Sequence, residues 1–167
     1  MKTVILLFLL ALGQSTIGQT KNPYLTLKFD KVIMYDFEPS GEKGGSIIEK
    51  NGQLTKMINK QVQLDQITFD RLNKKLGDNK SFGGGTASCF VPHLGFVYYS
   101  GQKVVGHITI CMACNRLYSS IEIAVQQQGK VGTGNDSYYL GDGMSKSFRQ
   151  FLNNLLKSNK FSHQATF

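Results

Sequence analysis

The order of apolar periodicities in this 167-residue chain predicts an α+β fold, an antiparallel sheet of hairpins with two helices packed on one face. Three observations carry that prediction. Period-two segments flank two tight turn pairs, Asn51-Gly52 and Gly101-Gln102. Two amphipathic stretches carry helix start and stop signals. No internal repeat or linker divides the chain, so residues 19–167 read as a single α+β domain.

Taken in order, Leu25, Leu27 and Phe29 alternate and lead into Val32-Ile33-Met34-Tyr35, which predicts one long or two short strands over 24–37. The run from Pro39 to Gly45 is a turn or loop. Segments 46–49 and 53–64 flank Asn51-Gly52 and predict a hairpin. Asp65 is placed to cap a helix carrying Ile67, Leu72 and Leu76, with Gly77 ending it. A loop over 77–86 contains Gly83-Gly84-Gly85. Segments 96–99 and 103–110 make a second hairpin, and Ile121, Ile123 and Val125 mark one face of a strand over 118–126. After the Gly-rich stretch 129–143, Met144, Phe148, Phe151, Leu152, Leu155 and Leu156 fall on one helical stripe, with Lys146, Arg149 and Lys157 opposite.

The first 18 residues have the form of a secretory signal peptide: Lys2, an uncharged apolar run from Val4 to Leu12, then small residues at Thr16 and Gly18. A membrane span needs roughly 20 apolar residues, so the run is too short to cross. The expectation is an exported chain, periplasmic or extracellular, cleaved near Gly18 and without a transmembrane segment once mature. Removing Lys2 leaves 18 basic against 11 acidic side chains, a net charge of +7. The basic residues are scattered, with Lys74-Lys75 the only adjacent pair, so a solvated basic surface is expected rather than specific nucleic-acid binding.

Cysteine chemistry is confined to one window: Cys89-Phe-Val-Pro-His93 and Cys111-Met-Ala-Cys114. If Gly101-Gln102 are the central turn residues, paired positions sum to 203. Pro92 then opposes Cys111, His93 opposes Ile110, and Cys89 lies level with Cys114, so the two arms are neighbours. Pro92 breaks the strict ladder. Three chemistries fit. Cys89, His93, Cys111 and Cys114 form a Cys₃His donor set of the kind that holds one structural zinc ion. Export favours instead a single disulfide, Cys89 to Cys111 or Cys114, or Cys111 to Cys114, with one thiol left over. A redox-active C-x-x-C is the third, but such motifs sit at a helix N-terminus. Here Asn115 to Ile123 read as turn and strand.

Other candidates carry less. Cys89 with His93 or His107 has no flanking signature that orients a third group, and His107 sits in an apolar strand. His163 lies in a polar tail without a motif. Gly83-Gly84-Gly85 has neither a Walker lysine nor G-x-G-x-x-G spacing. Asn135, Asp136 and Asp142 lack the oxygen-ligand alternation of a calcium loop.

The string Cys89-Phe-Val-Pro-His93-Leu-Gly-Phe-Val-Tyr-Tyr, followed by Gly-His-Ile-Thr-Ile-Cys111-Met-Ala-Cys114, resembles a group of uncharacterised exported bacterial proteins. They share a C-F-x-P-[HR] arm, an aromatic hairpin strand and a closing C-x-x-C. The resemblance spans roughly Thr86 to Ser119. It implies that the two arms belong to one recurring unit and that the compartment is a bacterial periplasm or exterior. It brings no activity. Arginine in place of the histidine in some members leaves three thiols as the shared donors. The functional expectation is a binding or envelope-associated structural protein with a stapled hairpin, its partner an envelope or protein component. The alternative is a thiol-dependent enzyme or redox protein.

Overall fold

A computed structural model describes residues 22–39, 45–126, 129–134 and 137–164. The expected signal peptide therefore lies outside the described residues, as do Asn135 and Asp136.

The chain enters through a short helix, α1 (Pro23–Thr26), where a strand is expected. The reason is local. Pro23 occupies the first turn, where its missing N–H costs nothing, and Asn22 caps the helix by accepting from the Tyr24 N–H. Leu25 is consequently exposed, while Tyr24 is buried against the sheet. Strand β1 (Lys31–Phe37) begins after this turn. The 46–64 hairpin is reduced to one bridge, Ile48 with Leu54, closed by the expected Asn51-Gly52 turn. Only β2 (Ile58–Gln63) continues as a strand, and it pairs with β1 rather than with 46–49.

Helix α2 (Gln66–Leu76) is capped at one end by Asp65, whose carboxylate accepts from the Thr68 N–H at 2.7 Å, and at the other by Gly77. Strand β3 (Phe82–Gly84) runs through the glycine triplet. Then come β4 (Leu94–Ser100) and β5 (Lys103–Cys111), joined by the Gly101-Gln102 turn. The Gly101 φ of 61° is the left-handed value such a turn requires. The expected strand over 118–126 is instead β6 (Arg116–Ser119), followed by a 3-10 turn at Ala124–Gln126. The Gly-rich stretch contributes β7 (Gly129–Val131), β8 (Tyr138–Leu140) and β9 (Gly143–Met144). Helix α3 (Lys146–Ser158) begins at Ser145, whose hydroxyl accepts from the Phe148 N–H.

Among the described residues, seven strands form one antiparallel sheet in the order β2-β1-β4-β5-β6-β8-β7, and β3 pairs with β9 beside it. One face carries Val32, Met34, Leu94, Phe96, Ile108 and Ile110. Leu72 and Leu76 of α2 and Phe148, Leu152 and Leu156 of α3 belong to the same apolar cluster. This is the α+β sheet with two helices on one face. Each buried Leu or Phe on that stripe contributes about 1.5–3 kcal/mol relative to exposure. The opposite face, with Tyr35, Phe37 and Val97, is covered by Ile47, Ile48 and Leu54. A Cβ at Gly95 would lie 2.7 Å from Ile47, so the glycine lets that segment lie flat on the sheet.

The register of the central hairpin corrects the arithmetic by one position. Ser100 faces Lys103 and Tyr99 faces Val104, as expected. A bulge between Tyr98 and Tyr99 then places Val97 opposite His107 and Leu94 opposite Ile110. An extra residue on one strand shifts every later pair. Leu94, not His93, therefore opposes Ile110. No helix among the described residues is long and apolar enough to cross a membrane.

Candidate functional site

The two cysteine arms meet where β4 begins and β5 ends. The Cys89 and Cys114 sulfurs lie at bonding distance, 2.03 Å, with their Cα atoms 5.7 Å apart, within the usual range for a disulfide. Cys111 is left as a thiol, 1% exposed, and its sulfur accepts from the Cys114 N–H at 3.3 Å. All three sulfurs lie within 4.8 Å of one another. Cys89 is exposed, whereas Cys114 is buried.

The Cys89–His93 arm is pinned at several points. Phe90 stacks on Tyr118 with ring centroids 4.0 Å apart. Val91 faces solvent and Pro92 is buried. The Phe37 N–H donates to the His93 carbonyl, which carries the sheet alignment of β1 one residue past β4. The Ala87 N–H donates to the Cys114 carbonyl and ties the start of the arm to the turn.

That turn is built on Asn115, which adopts the left-handed φ of 53° that asparagine tolerates better than most residues. Its amide donates to the carbonyls of Gly85 and Met144, at 2.8 and 2.9 Å. The glycine triplet is explained here too. A Cβ on Gly84 would lie 2.3 Å from the Met144 carbonyl oxygen. The triplet thus serves a close strand crossing and not the loop expected.

His93 does not join the sulfurs. Its Nδ1 lies 3.0 Å from the Phe37 carbonyl and 3.3 Å from Glu38, and its ring stacks on His163, centroids 3.7 Å apart and planes 8° apart. The candidate Cys₃His set is therefore divided between two clusters: Cys89, Cys111 and Cys114 in one, Glu38, His93 and His163 in the other. The contacts with Phe37 and Glu38 at the end of β1 hold the imidazole away from the sulfurs.

His163 is the site residue that sequence reasoning passed over. The tail after α3 is anchored by buried Phe161, and the Ser162 N–H donates to Asp36 at 2.7 Å. His163 then reaches both carboxylates, Nδ1 to Asp36 at 2.8 Å and Nε2 to Glu38 at 3.2 Å. A usable signal did exist: Asp36 is an acid within the apolar strand Val32 to Phe37, and a 1% exposed carboxylate requires partners. His107 stands apart in β5, and burial pushes its pKa down to about 4, so its ring is neutral near pH 7. Asp142 contributes its backbone to the Gln126 contacts.

Between the two clusters lies a cavity of about 320 Å³, lined by Cys89, Val91, Leu94, Ile110, Cys111 and Met112 among others, with His93 and His163 on its wall. The cavity thus joins an apolar floor, a buried thiol and two imidazoles. The C-x-x-C itself lies in a turn between strands β5 and β6 and does not open a helix, unlike the motif in which a helix N-terminus stabilises the thiolate. No family model, curated protein or solved structure matches this chain.

Proposed function

We propose that this chain is an exported binding domain. In this reading the Cys89–Cys114 link staples an arm over a small ligand cavity, and the specific partner is a compact molecule with an apolar body. The observation that carries the reading is the cavity itself: about 320 Å³, floored by Leu94, Ile110 and Met112 and edged by two imidazoles. Pockets of this size with mostly apolar walls and few polar groups are the usual form of small-ligand sites. Export is supported by the form of the first 18 residues and by cysteine usage that suits an oxidising compartment.

The test uses the mature chain and the apolar fluorophore anilinonaphthalene sulfonate as probe. Saturable binding that disappears in Val91→Trp, which fills the cavity mouth, is the expected outcome. Unchanged binding by that variant overturns the assignment of the cavity. Recovery of the full-length chain in the cytoplasmic fraction, with its first 18 residues intact, contradicts export.

A second reading rests on the Cys111 sulfur, which lies within 4.8 Å of both sulfurs of the linked pair. That proximity suits thiol–disulfide exchange within the triplet, as in a redox protein. Burial of Cys111 argues against it, because exchange needs an accessible thiolate.

A further inference from the structure

We propose that the cavity takes a small hydroxylated aromatic molecule, whose hydroxyl donates a hydrogen bond to His93 Nε2. This rests on the cavity reading above and makes His93 the residue that sets specificity within it.

One nitrogen of His93 is already committed. Its Nδ1 lies 3.0 Å from the Phe37 carbonyl oxygen and 3.3 Å from a Glu38 carboxylate oxygen. A carbonyl oxygen can only accept, so Nδ1 carries the proton. In the neutral ring Nε2 is then a bare lone pair, and it has no hydrogen-bond partner among the described residues. It is the one polar atom that the His93 side chain has left for a molecule in the cavity.

The ring is also held in one orientation. Its face lies on His163, centroids 3.7 Å apart and planes 8° apart, while its Nδ1 edge is tied to the end of β1. His163 is fixed in turn, with Nδ1 2.8 Å from Asp36 and Nε2 3.2 Å from Glu38, so it has no nitrogen to offer a ligand. Asp36 is 1% exposed and accepts from the Ser162 N–H as well. An acceptor whose direction is set before the ligand arrives loses little freedom on binding.

The rest of the wall narrows the head group. Gln164 Nε2 donates to the Phe161 carbonyl at 3.1 Å, which leaves its Oε1, again an acceptor. No Asp, Glu, Lys or Arg lines the cavity, so a charged head has no partner there. Two acceptors, with no free side-chain donor stronger than the Cys111 thiol, select a neutral molecule that brings the proton itself. A hydroxyl is the simplest such group.

Sulfur narrows the body. Cys89, Cys111, Met112 and Cys114 place four sulfur atoms around the apolar floor of Leu94 and Ile110. Sulfur is polarisable and makes favourable contacts with aromatic rings. A volume of about 320 Å³ is at the small end of ligand pockets and suits one or two fused rings.

The experiment titrates the mature chain, Cys89–Cys114 link intact, with 2-naphthol and with naphthalene at pH 7.5, followed by fluorescence. His93→Phe keeps a ring against His163 and removes the nitrogen. The ratio of the two affinities should fall about fivefold in this variant, the size of one neutral hydrogen bond net of water. Comparing ratios cancels the different cost of taking each probe out of water. A second readout needs no variant: in wild-type protein with ¹⁵N-labelled histidine, the His93 Nε2 resonance should move upfield with 2-naphthol and stay in place with naphthalene. A stationary resonance, or an unchanged ratio in folded His93→Phe, overturns the proposal and leaves the cavity reading standing. Failure of both probes to bind overturns the two together.

Discussion

At the scale of single residues, His107 and His163 show how position in the sheet decides what an imidazole does. His107 faces Val97 across the central hairpin and is held neutral by burial, its pKa pushed down to about 4. The unfolded chain binds that proton near pH 6.5. Between those values the unfolded state therefore holds more protons, and stability present above pH 6.5 is lost as pH falls towards 4. The loss from this group is at most about 3 kcal/mol, less where solvent reaches the ring. Thermal unfolding of the wild type and His107→Gln between pH 7.5 and 4 checks this: the wild-type curve should fall more steeply. Parallel curves would remove His107 from the acid response. His163, in contrast, is held at the surface by two carboxylates that its own tail brings it to.

At the scale of elements, the crossing of β3 and β9 ties the glycine triplet to the start of α3. Gly84→Ala forces a Cβ into the Met144 carbonyl, 2.3 Å away, so the backbone must move. Overpacking of this kind costs about 1–3 kcal/mol. Chemical denaturation should register that loss, whereas Gly85→Ala, with open space around its Cβ, should not. Equal effects at the two positions would refute the close-crossing explanation.

Much at this scale was legible in the sequence, and the exceptions have physical causes. Both long helices announce themselves through Asp65, Gly77 and the Phe148-Leu152-Leu156 stripe, because caps and periodicity are local signals. The central hairpin is equally plain from its Gly101-Gln102 turn. The strand expected over 24–37 fails at its start because the alternation of Leu25, Leu27 and Phe29 concealed an Asn-Pro helix start. The register slipped by one because a bulge at Tyr98 and Tyr99 leaves no mark in composition. Cys89 and Cys114 were predictable neighbours since one hairpin joins them. His163 and Asp36 were not, since 127 positions separate them and only tertiary packing of the tail brings them together.

At the scale of the molecule, the sheet is covered on one face by α2 and α3 and on the other by the 45–57 segment, and the cavity reaches Leu94 and Ile110 at the end of the helix-covered face. The cavity lies at the sheet end where the stapled arm, the 112–115 turn and the C-terminal tail converge. The core is large enough for the fold not to depend on cross-linking. The Cys89–Cys114 link closes a separation of 25 residues, which by chain entropy stabilises by roughly 3–4 kcal/mol. In the proposed reading it keeps the arm over the cavity, with Cys111 buried beside it as a thiol.

Non-reducing peptide mapping of the oxidised mature chain, alkylated after unfolding without reductant, addresses this most directly. One cross-linked pair joining the Cys89 and Cys114 peptides, with alkylated Cys111, is the expected result. A Cys111–Cys114 or Cys89–Cys111 pair, or three alkylated cysteines, would contradict the stapled arm and the cavity it frames.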